Sequence, residues 1–260
     1  GAVGPAISTD ISKLVGLGLM ILLFMKRTNV KLGMHFLKPF PTQIMKNLCF
    51  LAIPSGVESF SYNMSQMCIL GIVNSFGTMV TVTKGYCSIF ANLAYVYAMA
   101  IASATQIVLG YLIGAKKIDL IQKRVNATMK VALAACVGLA ILLFLGSNYA
   151  FLIFTDNPEI IALGRRILFI EIFLEIGRAV NIVMTKCLIA VGDAVTPTVV
   201  GVSFQWGVAF VGAWVFGIIF DWGLEGVWVA MAIDECLRGL IFAVHFKKER
   251  WKKVFRSVDA

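Results

Sequence analysis

The sequence predicts an all-α fold: a polytopic transmembrane helix bundle of about seven spans. Three observations predict it. Hydrophobic residues make up 59% of the chain and charged residues 14%, against about 45–50% and about 25% in soluble domains. Mean hydropathy is +0.87. Apolar stretches near the ~20 residues of a spanning helix recur along the chain, without the alternation over ~10 residues of barrel strands. Lys and Arg gather in short segments between those stretches and at the C-terminus, as topology signals do.

The net charge of +9 therefore belongs to membrane topology and does not call for a nucleic-acid partner. Six cysteines are scattered singly through apolar spans, with no CxxC pair or Cys/His cluster. They read as buried, reduced thiols, and no metal site follows from them. His35 and His245 stand beside basic flanks and read as interfacial side chains. The chain opens on Gly1 inside an apolar stretch, with neither an initiator Met nor a signal peptide, and is read as a piece of a longer protein.

Span one covers about 2–25 and carries Asp10 and Lys13, three apart, as an intrahelical pair or as flanks of the outer end. Residues 26–46 hold Lys26, Arg27, Lys31, Lys38 and Lys46 and no acid, and Pro39 and Pro41 break any helix there. This strongest basic signal is placed in the cytoplasm. Span two, about 47–75, contains LAIPSGVESFSYNMSQ. Pro54 removes a backbone hydrogen bond and Gly56 softens the helix, so a loosened turn is expected beside Glu58. Glu58, Tyr62 and Ser65 share a face. A carboxylate next to freed carbonyls can collect a cation or a proton, or sit protonated inside a bundle.

Span three, about 80–112, offers Tyr86, Tyr95 and Tyr97 to a flat cationic ligand or to aromatic packing. Gly110 and Gly114 form a small-xxx-small pair that permits close helix approach. Lys116, Lys117, Lys123, Arg124 and Lys130 then form a second cytoplasmic loop. Span four, 131–155, has no charge. Thr155 or Asp156 is expected to cap the next helix, with Pro158 in its first turn.

Span five, 164–193, holds the most telling pattern. Glu171, Glu175, Arg178 and Asn181 follow at steps of four, three and three, which puts them on one helix face. A charge at mid-bilayer costs roughly 3 kcal/mol or more unless paired or hydrated. The stripe therefore faces other helices or a watery cavity. It either works on an ion or forms a Glu–Arg pair that pins two helices together. Thr196 and Pro197 read as N-cap and first position of span six, about 197–219. Span seven, about 224–245, carries Asp234, Glu235 and Arg238, where Arg238 can pair with either acid. The tail, KKERWKKVFR from 247, reads as bound to lipid headgroups.

The ordered motifs resemble one family, the multidrug and toxic compound extrusion (MATE) transporters. They are LAIPSGVES, FGT before a helix, QIVLGYLIGAKK, FTDNPEII, LIAVGDAVTP and GLEGVWVAMAIDECLRG, in order across nearly all of the chain. The resemblance implies twelve helices in two six-helix lobes. Residues 1–46 would be the last helix of the first lobe with the inter-lobe loop, 47–246 the complete second lobe, and 247–260 a cytoplasmic tail. It also implies a non-enzymatic antiporter of the plasma (inner) membrane, exporting organic cations or other amphipathic drugs for Na⁺ or H⁺, with no cofactor beyond that ion. Its partners would be small-molecule substrates, membrane lipids and the first lobe of the same polypeptide.

In the NorM-like branch the second-lobe acids fall, by these motifs, on Tyr62 and Arg178, with Glu58 and Glu175 one turn earlier. The Arg of the family's LRGxGD motif is Ile189 here. Glu58 and Glu175 are thus expected to bind the cation or proton, supported by Tyr62, Ser65, Glu171, Arg178, Asn181, Asp234, Glu235 and Arg238. The alternative is a flippase for lipid-linked sugars within the same superfamily. An intramembrane enzyme finds no HExxH or GxSxG motif.

Overall fold

A computed structural model describes residues 3–27 and 42–248, and every regular element among them is helical. The basic stretch at 28–41, with Pro39 and Pro41, and the tail from 249 lie outside the described residues. The chain divides into two compact units, residues 1–47 and 48–260.

The first unit holds helix α1 (Val3–Arg27), 25 residues long. At 1.5 Å per residue it reaches about 37 Å, more than the ~30 Å of a hydrocarbon core. Lys26 and Arg27 occupy its last turn, where the helix dipole favours cations. Asp10 and Lys13 are exposed and do not pair, so the expected intrahelical pair is not made.

Helix α2 (Thr42–Ser75) begins earlier than the expected 47 and runs unbroken through Pro54. Proline forfeits only its own N–H bond, and the flanking turns carry the helix across. Gly77, at φ +102°, turns the chain into α3 (Thr78–Gly114). This is a conformation that only glycine takes cheaply. Among the described residues nothing lies within 4 Å of a Cβ built on Gly110 or Gly114, so the close approach that their spacing permits is not made there.

The second basic segment is not a loop. After a short turn at Lys116, helix α4 (Asp119–Leu145) takes up Lys123, Arg124 and Lys130. Ile121, Val125, Thr128, Ala132, Cys136 and Ala140 form one buried stripe through the basic run. The charges therefore do not mark an end of the helix. Gly146 then breaks the stretch expected as one span over 131–155, and a short α5 (Ser147–Leu152) follows.

Helix α6 (Pro158–Ala190) is capped by Asn157 and not by Thr155 or Asp156. The Asn157 side chain accepts from the Glu159 amide at 2.9 Å, and Pro158 takes the first helical position. Thr155 Oγ1 instead accepts from the Asn157 amide at 3.2 Å. α6 is the central helix, packing on α3, α4 and α9 (Gly223–Lys247). Its crossing with α9 is glycine-lined. A Cβ at Gly177 would lie 2.5 Å from the Cys236 backbone nitrogen, and one at Gly239 3.0 Å from the Gly177 carbonyl oxygen.

Between α6 and α9 the chain forms a helical stretch that changes pitch. It consists of α7 (Val195–Phe204), a π-helical turn at Gln205–Phe210, α8 (Val211–Trp214) and a second π turn at Val215–Ile219. Ala194 is the N-cap residue of α7, and Asp193 just before it holds the first turn, its carboxylate accepting from both the Thr196 amide (3.0 Å) and its hydroxyl (2.9 Å). Thr196 is thus the donor to Asp193 and not the cap itself.

Four of the described helical stretches are long and apolar enough to cross a membrane: Ile7–Arg27, Thr78–Gly114, Asp119–Leu145 and Val195–Ile219. The other long helices, α2, α6 and α9, carry the buried polar and charged residues. Among the described residues three buried clusters form the core, the smallest being Ala98, Cys136 and Ala179. Of the larger ones, the first contains Ile69, Val73, Phe90, Phe151 and Trp228, and the second Leu109, Ile121, Leu188, Phe242 and Phe246. On α9 the charged residues 234–238 fall between Ala232 of the first cluster and Phe242 of the second.

Candidate functional site

The α6 stripe meets α9 in a buried polar layer. Glu171 is 3% exposed and Glu175 is 0% exposed. One nitrogen of Arg178 serves both acids, donating to Glu171 Oε1 at 2.8 Å and to Glu175 Oε1 in a very short contact. From α9 the Trp228 indole N–H donates to Glu171 Oε2 at 2.6 Å. One helical turn along, Asn181 Nδ2 donates to Glu235 Oε2 at 2.6 Å. Arg238 in turn binds Asp234 through two nitrogens, at 3.2 and 2.5 Å, and Glu235 at 2.9 Å. Both pairings open to Arg238 from its spacing are therefore made at once.

Among the described residues, the cations that pair with Glu171, Glu175, Asp234 and Glu235 are Arg178 and Arg238. Each arginine contacts two acids, but four carboxylates outnumber two guanidiniums. Glu175 Oε2 is buried without a hydrogen-bond partner. It borders a recess of about 10 Å³ walled by Phe90, Ala91, Ala94, Ala140 and Leu168, roughly the space one water needs.

Beside the layer lies a much larger cavity of about 350 Å³, at the lower end of the range for small-molecule sites. Glu58, Tyr62, Tyr95, Arg178, Glu235 and Arg238 are among its walls. Glu58 accepts from Gln205 Nε2 at 3.1 Å. Gln205 opens the first π turn, and its carbonyl accepts from the Ser65 hydroxyl at 3.0 Å. The Trp206 indole N–H donates to Ser61 Oγ at 3.0 Å. The changed pitch thus delivers two successive side chains to α2, and π turns inside helices recur at functional sites.

Of the expected residues, Glu58, Tyr62, Arg178, Asn181, Glu235 and Arg238 come together around the cavity. Ser65 does not line it and is buried against the π turn. Glu58 and Glu175 do not share one chamber. Arg178 stands between them, lining the large cavity while holding Glu175 in the small recess behind it. Four participants were assigned no role from the sequence. Lys186 lines the cavity, and its spacing of eight from Arg178 continues the same helix face. Gln205 and Trp228 are brought in from 147 and 57 residues away, which no local pattern reveals. Asp193, the fourth, also meets His245 Nε2 at 2.9 Å, so that histidine joins two helix ends and is more than an interfacial side chain.

Residues 54–219 of this chain match the MatE family. The chain belongs to that family. An uncharacterized transporter of Bacillus subtilis (YisQ) is 30% identical over 96% of this chain and 55% of its own length. A probable multidrug resistance protein NorM of Streptococcus pneumoniae is 25% identical over 93% of this chain and 54% of its own. Among solved structures, a variant of the Vibrio cholerae MATE transporter VcmN superposes with a TM-score of 0.81 at 18% identity, over 97% of this chain and 56% of that one. A MOP-superfamily transporter from Pyrococcus furiosus gives 0.80 at 15% identity, over 92% and 54%. The chain spans about half the length of the curated relatives it matches. MatE membership and the long apolar helices together make it a multi-pass membrane protein.

Proposed function

We propose that this MatE chain forms the second lobe of a secondary antiporter, preceded by the last helix of a first lobe. In this reading the whole protein exports organic cations or other amphipathic compounds in exchange for Na⁺ or H⁺. The observation that carries it is the imbalance in the polar layer, where, among the described residues, Glu171, Glu175, Asp234 and Glu235 ion-pair with two cations, Arg178 and Arg238. Glu58 adds a fifth carboxylate at the cavity wall.

Leaving an uncompensated charge at low dielectric costs several kcal/mol. A proton or a sodium ion relieves that cost when it binds. Occupancy then changes the charge of the layer, and with it the preference between two arrangements of the lobes. Glu58 is the acid that ions in the cavity reach first. Glu175 stands one step deeper, with Arg178 as the intermediary. Tyr62, Asn181, Asp234, Glu235 and Arg238 hold these groups in position, and Ser65 steadies the π turn beside them.

All seven long helical stretches cross the bilayer in this account, with the basic segments and the C-terminus cytoplasmic and the protein in the plasma membrane. Its partners are small-molecule substrates, membrane lipids and the first lobe; it needs no nucleic acid, cofactor or catalytic step. The test is transport by the full-length parent in proteoliposomes. An imposed Na⁺ or H⁺ gradient should drive uptake of a fluorescent organic cation against its concentration. Uptake indifferent to both gradients would remove the antiport reading. The flippase reading draws on a different observation: Arg178, Lys186 and Arg238 all face the cavity. Scrambling of a lipid-linked sugar in the same vesicles, without drug uptake, would favour it.

A further inference from the structure

The helical stretch between α6 and α9 buries one residue in four. Pro197, Gly201, Gln205, Ala209, Ala213 and Gly217 are its buried residues. Val195, Val199, Ser203, Gly207 and Val211 are exposed at the same interval. In a plain α-helix of about 3.6 residues per turn, a step of four residues overshoots its starting face by ~40°. From Pro197 to Gly217 the overshoot would sum to ~200° and carry the stripe to the opposite side. A π turn, bonded i→i+5, holds more residues per turn and rotates the stripe back. The π turns at Gln205–Phe210 and Val215–Ile219 therefore keep it on one face. That face is closely packed. A Cβ at Gly201 would stand 3.1 Å from Glu58 Cγ on α2, and one at Gly217 3.1 Å from Val227 Cγ2 on α9.

The first π turn is tied to α2 from outside the helix. The Gln205 carbonyl accepts from Ser65, the Trp206 indole donates to Ser61, and Gln205 Nε2 donates to Glu58 at 3.1 Å. Of these ties the one to Glu58 can carry a charge, and hydrogen bonds to an ionised acceptor are about twice as strong as neutral ones. The other end of the same amide, Gln205 Oε1, is buried without a hydrogen-bond partner. A charged Glu58 offsets that cost, because it accepts only from the N–H side of the amide. A neutral Glu58 does not. Its bond to Nε2 falls to ordinary strength, or the amide turns over to accept from the carboxylic O–H. Gly207, exposed inside the turn with nothing within 4 Å of a Cβ built on it, gives the backbone room to rewind.

We infer that the first π turn is a charge-sensitive hinge: Glu58 as a carboxylate clamps Gln205 and the turn to α2, and Glu58 without its charge releases them. On release the surplus residue of the turn moves along the helix, and Gln205 and Trp206 swing off α2. The second π turn and its contact with α9 stay in place. The hinge stands on the charge of Glu58 alone. In the antiport reading, an ion bound at Glu58 is one event that removes that charge.

The test is amide hydrogen exchange, read by mass spectrometry on the full-length parent in nanodiscs, with no substrate and no gradient. Glu58→Gln keeps the side-chain shape and an acceptor but removes the charge. Exchange over residues 205–210 should quicken about tenfold, the difference between a charge-assisted and a neutral bond. Exchange in α4, which packs on α3 and α6, should not change. Gln205→Met removes the amide and should quicken the same segment. The double variant should be no faster than the faster single one, since both cut one link. Deleting Gly207 takes the surplus residue out of the π turn. The protein should stay folded, and residues 205–210 should exchange as slowly as α7 and no longer respond to Glu58→Gln. Deleting Val199, also exposed but in plain α-helix, rotates everything beyond it by ~100° and should unfold the lobe. Exchange over 205–210 that ignores Glu58→Gln, or a rise shared equally by α4, would overturn the hinge. So would a Gly207 deletion as damaging as the Val199 one. Because no arm involves transport, the antiport reading can fail in vesicles while the hinge stands, and the hinge can fail while antiport stands.

Discussion

Replacing Arg178 tests the polar layer at its most crowded point. Its single nitrogen serves Glu171 and Glu175, whose side chains are 5% and 0% exposed, while its own is 12% exposed. Arg178→Gln removes the charge from between two buried carboxylates. Breaking a buried pair by deleting one partner typically costs about 3–5 kcal/mol, most of it the penalty for stranding the remaining charge. Here two acids lose the same partner, so the upper half of that range is expected. The triple variant Arg178→Gln, Glu171→Gln, Glu175→Gln removes the stranded charges as well. It should recover more than half of the loss, because replacing a whole buried ion group by neutral residues is often close to neutral. Thermal or chemical unfolding of the full-length parent in detergent measures both. A cost below about 1 kcal/mol for the single variant, the level of an exposed ion pair, would refute the reasoning. So would a triple variant less stable than the single one.

Gly177→Ala should destabilise by about 1–3 kcal/mol through overpacking, since its Cβ would meet the α9 backbone at 2.5 Å; Gly110→Ala, facing open space, should be neutral or gain up to about 1 kcal/mol in helix propensity, and the same unfolding assay separates them. Trp228→Phe keeps a smaller aromatic ring in the core cluster but deletes the donor to Glu171, and should cost at least about 1.5–3 kcal/mol, as hydrogen bonds to charged groups do, with the lost indole volume adding to it. Asp193→Ala removes both acceptors that hold the first turn of α7 and the partner of His245; a loss of about 0.5–2 kcal/mol is expected, visible as faster hydrogen exchange at the Thr196 amide.

The long helices were legible because their cause is local: a bilayer demands ~20 apolar residues with every backbone group satisfied internally. The polar stripe of α6 was legible for the same reason, since residues three and four apart share a helix face whatever surrounds them. Ends were harder to read. Basic residues mark the membrane edge, and α4 simply continues through Lys123, Arg124 and Lys130 on a buried stripe that ignores the charges. Caps were misplaced by one or two residues because Thr155, Asp156, Asn157 and Asp193 are all good cap chemistry, and only the chain path selects among them. The Gly110–Gly114 pair shows that spacing permits an approach without requiring one; the tight crossing uses Gly177 and Gly239 instead. The site was legible residue by residue but not in depth. Glu58 and Glu175 were both readable as intramembrane acids, yet that Arg178 separates them depends on how α2, α6 and α9 meet. The π turn that presents Gln205 and Trp206 to α2 left no composition signal at all.

The account turns on carboxylates in excess over guanidiniums carrying the coupling ion. The most direct measurement compares two modes of transport by the full-length parent in proteoliposomes, before and after the double change Glu58→Gln, Glu175→Gln. The account predicts that the variant still exchanges labelled for unlabelled substrate at equilibrium but no longer accumulates it when a Na⁺ or H⁺ gradient is imposed. Accumulation that follows the gradient as in the wild type would contradict it.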